Sequence, residues 1–468
     1  MNKAKPGIRR IGQPDDGMVL LALRTCEHLP YVGKMITTLV KQNFKVHLVG
    51  VTSKKKEIER FSEWIDGASL ASNENVTLFA YKENRIQRGI QETLEYILNL
   101  RQSDPMTKSE RSRTHPSYVL HMHEQGQKLK ASLTLLLLRA VSKLSIRIFE
   151  YFLIKNEGKS REYVIDEIKK SNPQFLIASP GNMKGCKERV WLRECNLRGI
   201  PTAIVVLSWD NPTTKGVFLE KPDVVFVQSN FQHEVVMNQG FEPNQIQVVG
   251  SVHIERLLDV PLQMPKERGN RIQIIYLGSS TRTAINQDIY LDNVISLLES
   301  FPSYDYELYV RPHPKNPIQG NALERIQNNK KIIVTESSLQ ITQADNESYS
   351  HLLLSADCVL GEATSALVEA KILGANVFLL NFLKLSRSDE RHLNELQNSG
   401  FIETINDRLQ LREVIESTLN REKLNRVISD KNWNSRVICD SHETSNRIVN
   451  YMVLLSQQSR ERNNTDVV

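Results

Sequence analysis

Several patterns that mark common protein classes are missing from this sequence. The five cysteines are odd in number and form no CxxC pair, so neither a disulfide framework nor a zinc site is indicated. A Walker-type lysine loop and a GxGxxG fingerprint are both missing, which disfavours a P-loop enzyme and an NAD-dependent dehydrogenase. Sequence repeats and low-complexity tracts are absent as well. A globular protein in a reducing cytoplasm fits these features best.

Strong charge of one sign is also missing. The 60 Lys and Arg residues nearly balance 54 Asp and Glu residues, giving a net charge of +6, so we expect no nucleic-acid partner. Basic residues concentrate in the first 170 positions, for example at 54–56, 111–113 and 128–130. This asymmetry indicates either a solvated basic face or a face toward an anionic surface. The polar N-terminus has no apolar segment of the signal-peptide type, and we expect no signal peptide.

The segment 129–154 is the one stretch with a membrane-like composition. Arg139, Lys143, Arg147 and Glu150 interrupt its apolar residues, which argues against a transmembrane helix. The apolar positions recur at helical spacing, so we predict one long amphipathic helix. Two interpretations remain open, namely packing within the first domain and a helix lying on a membrane surface.

The chain is long enough for two folded domains of ordinary composition, with 468 residues of which 40% are apolar and 24% charged. Apolar strands alternate with helices over 18–51, over 172–249 and again over 272–380. The strands are continuous apolar runs, which are typical of parallel sheets buried on both faces. We predict an α/β protein with two doubly wound, Rossmann-like parallel-sheet domains that face a cleft.

Composition also suggests where the domains begin and end. The segment 257–269 contains two prolines and a glycine between ordered blocks and is the best candidate for a linker. We therefore place a first domain at 1–260, with a mostly helical insert at about 86–170, and a second domain at 261–455. Residues 456–468 are expected to form a flexible tail.

The stretch 356–374 is the first candidate site. A buried strand ends at Gly361, Thr364 and Ser365 stand where a helix should begin, and Glu369 lies further along that helix. Free N–H groups and the helix dipole make such a helix start suitable for phosphate, and Glu369 could then reach a ribose hydroxyl. The alternative is plain N-capping of the helix by Ser and Thr.

Two further loops follow strands of the second domain. Arg311 and His313 stand at a strand end, and prolines on both sides of His313 restrict the backbone there. An arginine and a histidine in this position can bind a phosphate or a sugar oxygen. The loop after the first strand has small residues that allow a ligand to approach and an arginine that complements phosphate charge. Its candidate residues are Gly278, Ser279, Ser280 and Arg282.

Two loops of the first domain could carry acceptor binding and catalysis. The loop 207–216 combines an indole, a carboxylate, hydroxyls and a cation; its candidates are Trp209, Asp210, Asn211, Thr214 and Lys215. Trp209 is expected to be an exposed apolar platform, and Asp210 is a rival candidate for the general base. A structural Asx turn explains Asp210 and Asn211 equally well. In the loop 24–31, Glu27 or His28 could act as general base, and Arg24 could bind the acceptor. The alternative there is a role in starting the following helix.

Three stretches resemble GT-B glycosyltransferases. One stretch, RTCEHLPYVGKMITTLVKQNFKVHLVG, resembles the start of the acceptor domain of these enzymes. Another, SWDNPTTKG, resembles a loop of the members that build bacterial surface carbohydrates. The third stretch runs from LYVRPHP to SADCVLGEATSALVEAKILGANVFLL. It resembles the donor half that is shared by polysaccharide-biosynthesis glycosyltransferases, CDP-glycerol glycerophosphotransferases and UDP-N-acetylglucosamine 2-epimerases. The match spans about half of the chain and is strongest over 272–381.

The resemblance implies a nucleotide donor on the second domain, an acceptor on the first, and catalysis that needs no metal and no cofactor besides the activated donor. It assigns Thr364 and Ser365 to phosphate, Glu369 to ribose, and His313 to the diphosphate or the sugar. Glu362 is a further donor-binding candidate. Retaining members often have two glutamates with seven residues between them, whereas six separate Glu362 from Glu369. We therefore expect an inverting mechanism.

The expected function is transfer of a sugar from a nucleotide-sugar donor to a glycan or lipid-linked acceptor in surface polysaccharide biosynthesis of the cell envelope. One alternative is a CDP-glycerol-type polyol-phosphate transferase, although such enzymes usually carry Asp-Tyr-Ser-Ser where this chain has Glu-Ala-Thr-Ser. A UDP-sugar 2-epimerase and a non-catalytic nucleotide-sugar-binding scaffold are the others. The expected location is the cytoplasm, with peripheral contact with the inner face of the cell membrane left open.

Overall fold

The computed structural model describes most of both domains. The described residues are 17–23, 28–51, 59, 75–81, 90, 92–94, 96–97, 100, 107, 110, 115–141, 146–179, 188–214, 218, 220–260, 271–279, 287–313, 316–335, 343–362, 364–383, 390–421 and 433–465. Within these ranges the chain forms two parallel sheets, each covered by helices.

The first domain is built on a seven-stranded parallel sheet. Its strands are β1 Met18–Leu23, β2 Lys45–Val51, β3 Val76–Tyr81, β4 Phe175–Ser179, β5 Thr202–Val205, β6 Val224–Val227 and β7 Ile246–Val248. Their order in the sheet is β3-β2-β1-β4-β5-β6-β7. Side chains of β1 alternate between two cores, with Val19 and Leu21 on one face and Leu20 and Ala22 on the other. Burial on both faces explains why these strands are continuous apolar runs.

Eight helices of the described chain accompany this sheet. They are α1 Leu29–Lys41, α2 Ser117–Glu124, α3 Lys128–Val141, α4 Ile146–Ser171, α5 Arg189–Asn196, α6 Asn211–Thr214, α7 Asn230–Asn238 and α8 Val252–Leu258. Helix α1 buries Val32, Ile36 and Leu39 in the core on one face of the sheet. The opening β1-α1-β2 unit thus has the alternation of strands and helices predicted for 18–51.

The second domain has a six-stranded parallel sheet. Its strands are β8 Ile272–Leu277, β9 Tyr306–Arg311, β10 Ile332–Val334, β11 Cys358–Gly361, β12 Val377–Leu380 and β13 Glu403–Ile405. Its helices are α9 Gln287–Glu299, α10 Gly320–Asn328, α11 Gln343–Ser355, α12 Ser365–Ile372, α13 Arg391–Asn398 and α14 Arg408–Leu419. The strand order is β10-β9-β8-β11-β12-β13, so the order reverses between β8 and β11, as it does between β1 and β4 in the first sheet. Open α/β sheets bind ligands at such reversal points, beyond the carboxyl ends of the strands.

The C-terminal helix returns to the first domain. Helix α15, Thr444–Thr465, buries Ile448, Val449 and Met452 in the core beside α1. The Ser456 hydroxyl also donates a hydrogen bond of 3.2 Å to the Gln174 carbonyl. Helix α15 therefore continues past the predicted domain end at 455 and into the segment 456–468 that was predicted to be a flexible tail. The apolar residues on one face of the helix need a core to cover them, and the first domain provides it. Residues 466–468 lie outside the described ranges.

The predicted linker and insert are refined by the structure. Helix α8 runs to Leu258 and Leu257 is buried in the core of the second domain, so packed helical structure extends beyond the predicted start of the linker. The rest of the predicted linker, 261–269, lies among residues that the structure does not describe. Within the single helix predicted at 129–154, the structure describes α3 up to Val141 and α4 from Ile146, and residues 142–145 lie outside the described ranges. Helix α4 is kinked at Gly158, where φ is 40°. Among the described helices, none is both long enough and apolar enough to cross a membrane.

Candidate functional site

A cavity of about 430 Å³ lies where the carboxyl ends of the two sheets meet. First-domain residues that line it follow β1, β5, β6 and β7, and second-domain residues follow β8, β9 and β11. Ten of the residues singled out from the sequence line it together, namely His28, Trp209, Asp210, Asn211, Gly278, Arg311, His313, Thr364, Ser365 and Glu369. A cavity of this size at two strand-order reversals can hold a small ligand between the domains.

The loop after β8 reaches the cavity at Gly278. A Cβ atom there would lie 2.6 Å from Gln287 Oε1 and 2.9 Å from the His313 nitrogen, so only glycine fits. Ser279 is buried behind it, where its N–H donates to Gln287 Oε1 at 3.1 Å and its carbonyl accepts from Asn316 Nδ2 at 2.8 Å. Ser279 therefore supports the loop and does not line the cavity. Ser280 and Arg282 lie outside the described residues.

Strand β9 brings Arg311 and His313 to the cavity wall. The Arg311 carbonyl accepts a hydrogen bond of 2.9 Å from the Gly278 N–H, which ties the two strand ends together. The Arg311 guanidinium stands 4.1 Å from the centre of the Tyr349 ring, a distance typical of cation–π stacking. His313 forms an antiparallel bridge with Asn316 and also lines the cavity. The second domain thus holds a cation and a titratable ring toward the ligand space.

Helix α12 begins at the same cavity. Thr364 has the extended backbone of an N-cap residue, yet its side chain makes no capping hydrogen bond. Ser365 is exposed, and Thr364, Ser365 and Ala366 all line the cavity. Because Thr364 does not cap the helix with its side chain, the alternative of plain side-chain capping loses its support there. The N–H groups and the positive end of the helix dipole face the cavity and favour an anion.

Glu369 links the two domains from the second turn of α12. It is buried, and its carboxylate accepts hydrogen bonds from His253 Nε2 at 2.8 Å and from the Tyr349 hydroxyl at 2.7 Å. His253 belongs to α8 of the first domain, so this pair crosses the cavity wall between domains. Burial alone would raise the pKa of Glu369, but His253, Tyr349 and Arg311 lower it to about 2. Glu369 is therefore an ionised acceptor over the whole physiological range of pH.

We expect Glu369→Gln to change how stability depends on pH. A carboxyl whose pKa is lower in the folded chain than in the unfolded chain stabilises the fold above the unfolded value, and this stabilisation is lost as the pH falls. For Glu369 this stabilisation should be lost as the pH falls from about 4.5 toward about 2. Between pH 6 and pH 3 the free energy of unfolding should fall by about 2 kcal/mol more in the wild type than in the variant, measured with urea. Equal losses in the two proteins would contradict the proposed role of this contact.

Glu362 occupies a different environment from the one predicted. It is buried behind the cavity, does not line it, and accepts a hydrogen bond of 3.4 Å from the Tyr276 hydroxyl. Its position directly after β11 turns the side chain into the core of the second domain. Burial raises the pKa of Glu362 to about 8, so this carboxyl is protonated at neutral pH. A direct contact with a donor is therefore not supported by its placement.

Replacing Glu362 by Gln should stabilise the protein at high pH. A buried acid with a raised pKa lowers stability increasingly as the pH rises from about 4.5 to about 8, because the unfolded chain releases the proton first. The Gln variant lacks this penalty and should exceed the wild type in unfolding free energy by more than about 1 kcal/mol at pH 7.5. Thermal melts at pH 5 and pH 7.5 measure the difference. An advantage of the same size at both values would show that burial of this carboxyl is not the cause.

In the first domain, His28 reaches the cavity from the start of α1. It is partly buried, and its ring centre lies 6.4 Å from that of Tyr31, whose ring in turn packs edge-on against His253 at 4.5 Å. Two other predicted residues of this loop, Arg24 and Glu27, lie outside the described residues.

The loop 207–214 is held together by Asp210. The Asp210 carboxylate accepts hydrogen bonds from the hydroxyls of Ser208 and Thr214, and its carbonyl accepts from Thr213 and Thr214. Thr214 is buried by these contacts and does not reach the cavity, although Asn211 does. The structural interpretation of Asp210 is thus the better supported one. Lys215 lies outside the described residues.

Trp209 is not the exposed platform expected from the sequence. The side chain is only 8% exposed and joins the hydrophobic core of the second domain. Its ring packs edge-on against His392 of α13, with ring centres 4.8 Å apart, and His392 Nδ1 lies 3.0 Å from the Thr213 hydroxyl. The indole therefore covers the interface between domains, and only part of it borders the cavity.

The two residues that hydrogen-bond to Glu369, His253 and Tyr349, were not predicted from the sequence. His253 follows a short strand and a Gly-Ser pair, a strand-end position like those of the other candidates, so this signal could have found it. Tyr349 lies within helix α11, and the polar residues around it offer no such signal. In the part of the chain that the structure describes, no group of three or more His, Cys, Asp or Glu residues could hold a metal ion. Catalysis without a metal stays a prediction.

Two facing doubly wound domains with a cavity at their carboxyl edges define the GT-B class of fold. A UDP-N-acetylglucosamine 2-epimerase from Neisseria meningitidis bound to UDP-N-acetylglucosamine is similar, with a TM-score of 0.55 and 9% identity over 93% of this chain and 99% of that one. The 2-epimerase from Methanocaldococcus jannaschii has a TM-score of 0.54 and 14% identity, again over 93% and 99%. A glycosyltransferase from Rickettsia africae has a TM-score of 0.52 and 10% identity over 94% and 99%.

These similarities show the fold and confirm the GT-B architecture that the resemblance implied. No protein-family model and no curated protein sequence matches the chain.

Proposed function

We propose that the protein is a glycosyltransferase that moves a sugar from a nucleotide-sugar donor to a glycan or lipid-linked acceptor in surface polysaccharide biosynthesis. The observation that carries the proposal is the set of anion-binding groups around one cavity wall, formed by the start of α12 and by Arg311. Solved structures of similar fold include one bound to UDP-N-acetylglucosamine, which supports a nucleotide-sugar ligand.

The second domain would bind the donor. The N–H groups of Thr364 and Ser365, the Arg311 guanidinium and His313 would bind the diphosphate, since helix starts and guanidinium groups both favour phosphate. Glu369 would accept hydrogen bonds from the ribose hydroxyls. An ionised carboxylate has about four acceptor positions, so it can accept further bonds while it keeps those from His253 and Tyr349.

The first domain would supply the base. The carboxylates and imidazoles of the described first domain that line the cavity are Asp210, His253 and His28. Both carboxylate oxygens of Asp210 accept hydroxyl hydrogen bonds, and His253 is paired with Glu369. We propose His28 as the base because it lines the cavity from the start of α1 and an imidazole is the commonest general base, with Glu27 as the residue beside it in sequence that could take the same role.

The reaction would then proceed with inversion and without a metal. His28 takes the proton of the acceptor hydroxyl, whose oxygen attacks the anomeric carbon from the side opposite the diphosphate. The bond from the anomeric carbon to the diphosphate oxygen breaks, and the nucleoside diphosphate leaves with the electron pair. Arg311 and the start of α12 stabilise the negative charge that develops on it.

Product analysis tests this proposal. The full chain is incubated with each nucleotide sugar and with CDP-glycerol, with and without glycan and lipid-linked acceptors, and the products are identified by mass spectrometry. Acceptor-dependent release of a nucleoside diphosphate and a sugar-extended product are expected. Release of CMP from CDP-glycerol would indicate polyol-phosphate transfer, and a changed sugar still attached to its nucleotide would indicate epimerisation. Binding of a nucleotide sugar with no turnover would favour the scaffold interpretation.

A further inference from the structure

Helix α3 exposes an apolar face to solvent. Leu129, Leu133, Leu136 and Leu137 are between 57% and 76% exposed. Their spacing places them on one side of the helix, and we refer to these four residues as the leucine face. Ala131 and Leu138, on other sides of the helix, are buried. Helix α3 is therefore anchored to the protein by one side and presents four large apolar side chains on another.

The first part of α4 continues this exposure. Ile148, Tyr151 and Ile154 are exposed, whereas Val164 and Ile168, which follow the kink at Gly158, are buried in a core of the first domain. Seven of the fifteen large apolar side chains exposed among the described residues thus fall within 129–154. Scattered apolar residues are normal on a surface, but such a concentration marks an interaction site.

The charges around the leucine face identify the kind of partner. Residues 125–149 contain five basic side chains and no Asp or Glu. Three of the five, Lys128, Lys130 and Arg139, lie on α3 itself and are exposed. A second copy of this chain would bring like charges together across a symmetric contact, which disfavours self-association. An anionic surface with an apolar interior matches both the cations and the leucines.

We propose that the leucine face docks the protein on an anionic phospholipid bilayer. Helix α3 would lie parallel to the membrane with its leucines among the acyl chains, while Lys128, Lys130 and Arg139 contact lipid phosphates. The proposal adopts the membrane-surface interpretation of the segment 129–154 for the exposed side of α3. The inference goes beyond the proposed reaction and does not depend on it.

Vesicle flotation tests this docking. The full chain is mixed with vesicles of phosphatidylcholine and phosphatidylglycerol, or of phosphatidylcholine alone, and centrifuged through a density gradient. The wild type should float with the anionic vesicles only. The double substitution Leu133→Ser with Leu137→Ser should reduce the vesicle partition coefficient at least about tenfold, because each leucine side chain contributes substantially when removed from water. The matched control, Leu197→Ser with Leu409→Ser, changes two leucines of similar exposure on other elements and should float like the wild type.

A charge variant separates the two contributions. Each basic residue near an anionic surface strengthens binding about fivefold, so Lys128→Gln, Lys130→Gln and Arg139→Gln together should weaken it on the order of 100-fold. High salt should weaken wild-type binding in the same direction, since salt screens these contacts. Unchanged melting temperatures of all variants would show that the substitutions leave the fold intact.

Three outcomes would overturn the proposal. The wild type fails to float with anionic vesicles, or the Leu133 and Leu137 variant floats as well as the wild type. The third outcome is that light scattering shows the wild type to be a dimer and the Leu133 and Leu137 variant to be a monomer, while neither protein floats with the vesicles. Flotation is measured without any nucleotide, so a failed donor screen would leave this result unaffected.

Discussion

Replacing Arg311 by Ala is expected to weaken nucleotide-sugar binding about 10- to 100-fold, because hydrogen bonds to a charged group are among the strongest single contributions in a site. Arg311 lines the cavity at the end of β9 and stacks on Tyr349 at 4.1 Å. Its guanidinium faces the same space as the start of α12. Isothermal titration with the nucleotide that binds the wild type most tightly measures the loss.

A matched control is available in the same domain. The Arg412 guanidinium lies 5.6 Å from the centre of the Phe301 ring and pairs with Glu416, but Arg412 does not line the cavity. Arg412→Ala should leave the dissociation constant within about twofold of the wild type. Arg311→Lys should recover part of the affinity, because it keeps the charge and loses the paired donors. If the Arg311→Ala and Arg412→Ala variants bound the nucleotide sugar with equal affinity, the assignment of Arg311 to the donor site would be wrong.

Replacing His28 by Ala is expected to lower kcat by about 10²- to 10⁴-fold, which is the usual contribution of a general base. Donor affinity should change little, since the groups proposed to bind the donor belong to the second domain. The pair of measurements, turnover with saturating substrates and donor titration, distinguishes a base from a binding residue.

The control for His28 is His442. This histidine is exposed and pairs with Asp440, and its ring lies 5.7 Å from that of Trp433, away from the lining of the cavity. His442→Ala should retain wild-type turnover. If His28→Ala kept full activity while Glu27→Gln lost it, the base would be Glu27, and the assignment made from the geometry of the cavity would be wrong.

The strands were predictable because burial on both faces leaves a pattern of continuous apolar residues. Strands β1 and β2 lie within the predicted range 18–51, and strands β8 to β12 lie within the predicted range 272–380. In contrast, β13 and helices α13, α14 and α15 were not predicted. The place of α15 is decided by the core that covers it, and a single amphipathic pattern does not say which of two domains provides that core.

The candidate site was predictable to the extent that it lies at strand ends. Glu362 and Glu369 belong to one motif, yet the former turns into the core beside Tyr276 and the latter faces His253. Sequence spacing alone does not distinguish these directions. Trp209 was misplaced for a related reason, since its partner His392 lies 183 positions away in the other domain. Contacts between domains are set by the tertiary arrangement and leave no local pattern.

The most direct test of a nucleotide-sugar site in the cavity is a thermal-shift screen against UDP-, GDP-, CDP-, dTDP- and CMP-linked sugars and CDP-glycerol. A ligand that binds only the folded state at about 100 times its dissociation constant adds about 2.7 kcal/mol, which corresponds to a rise of several degrees. We predict such a rise with at least one nucleotide sugar and its loss in Glu369→Ala. No rise with any nucleotide sugar, or a rise with CDP-glycerol alone, would contradict the proposed donor site.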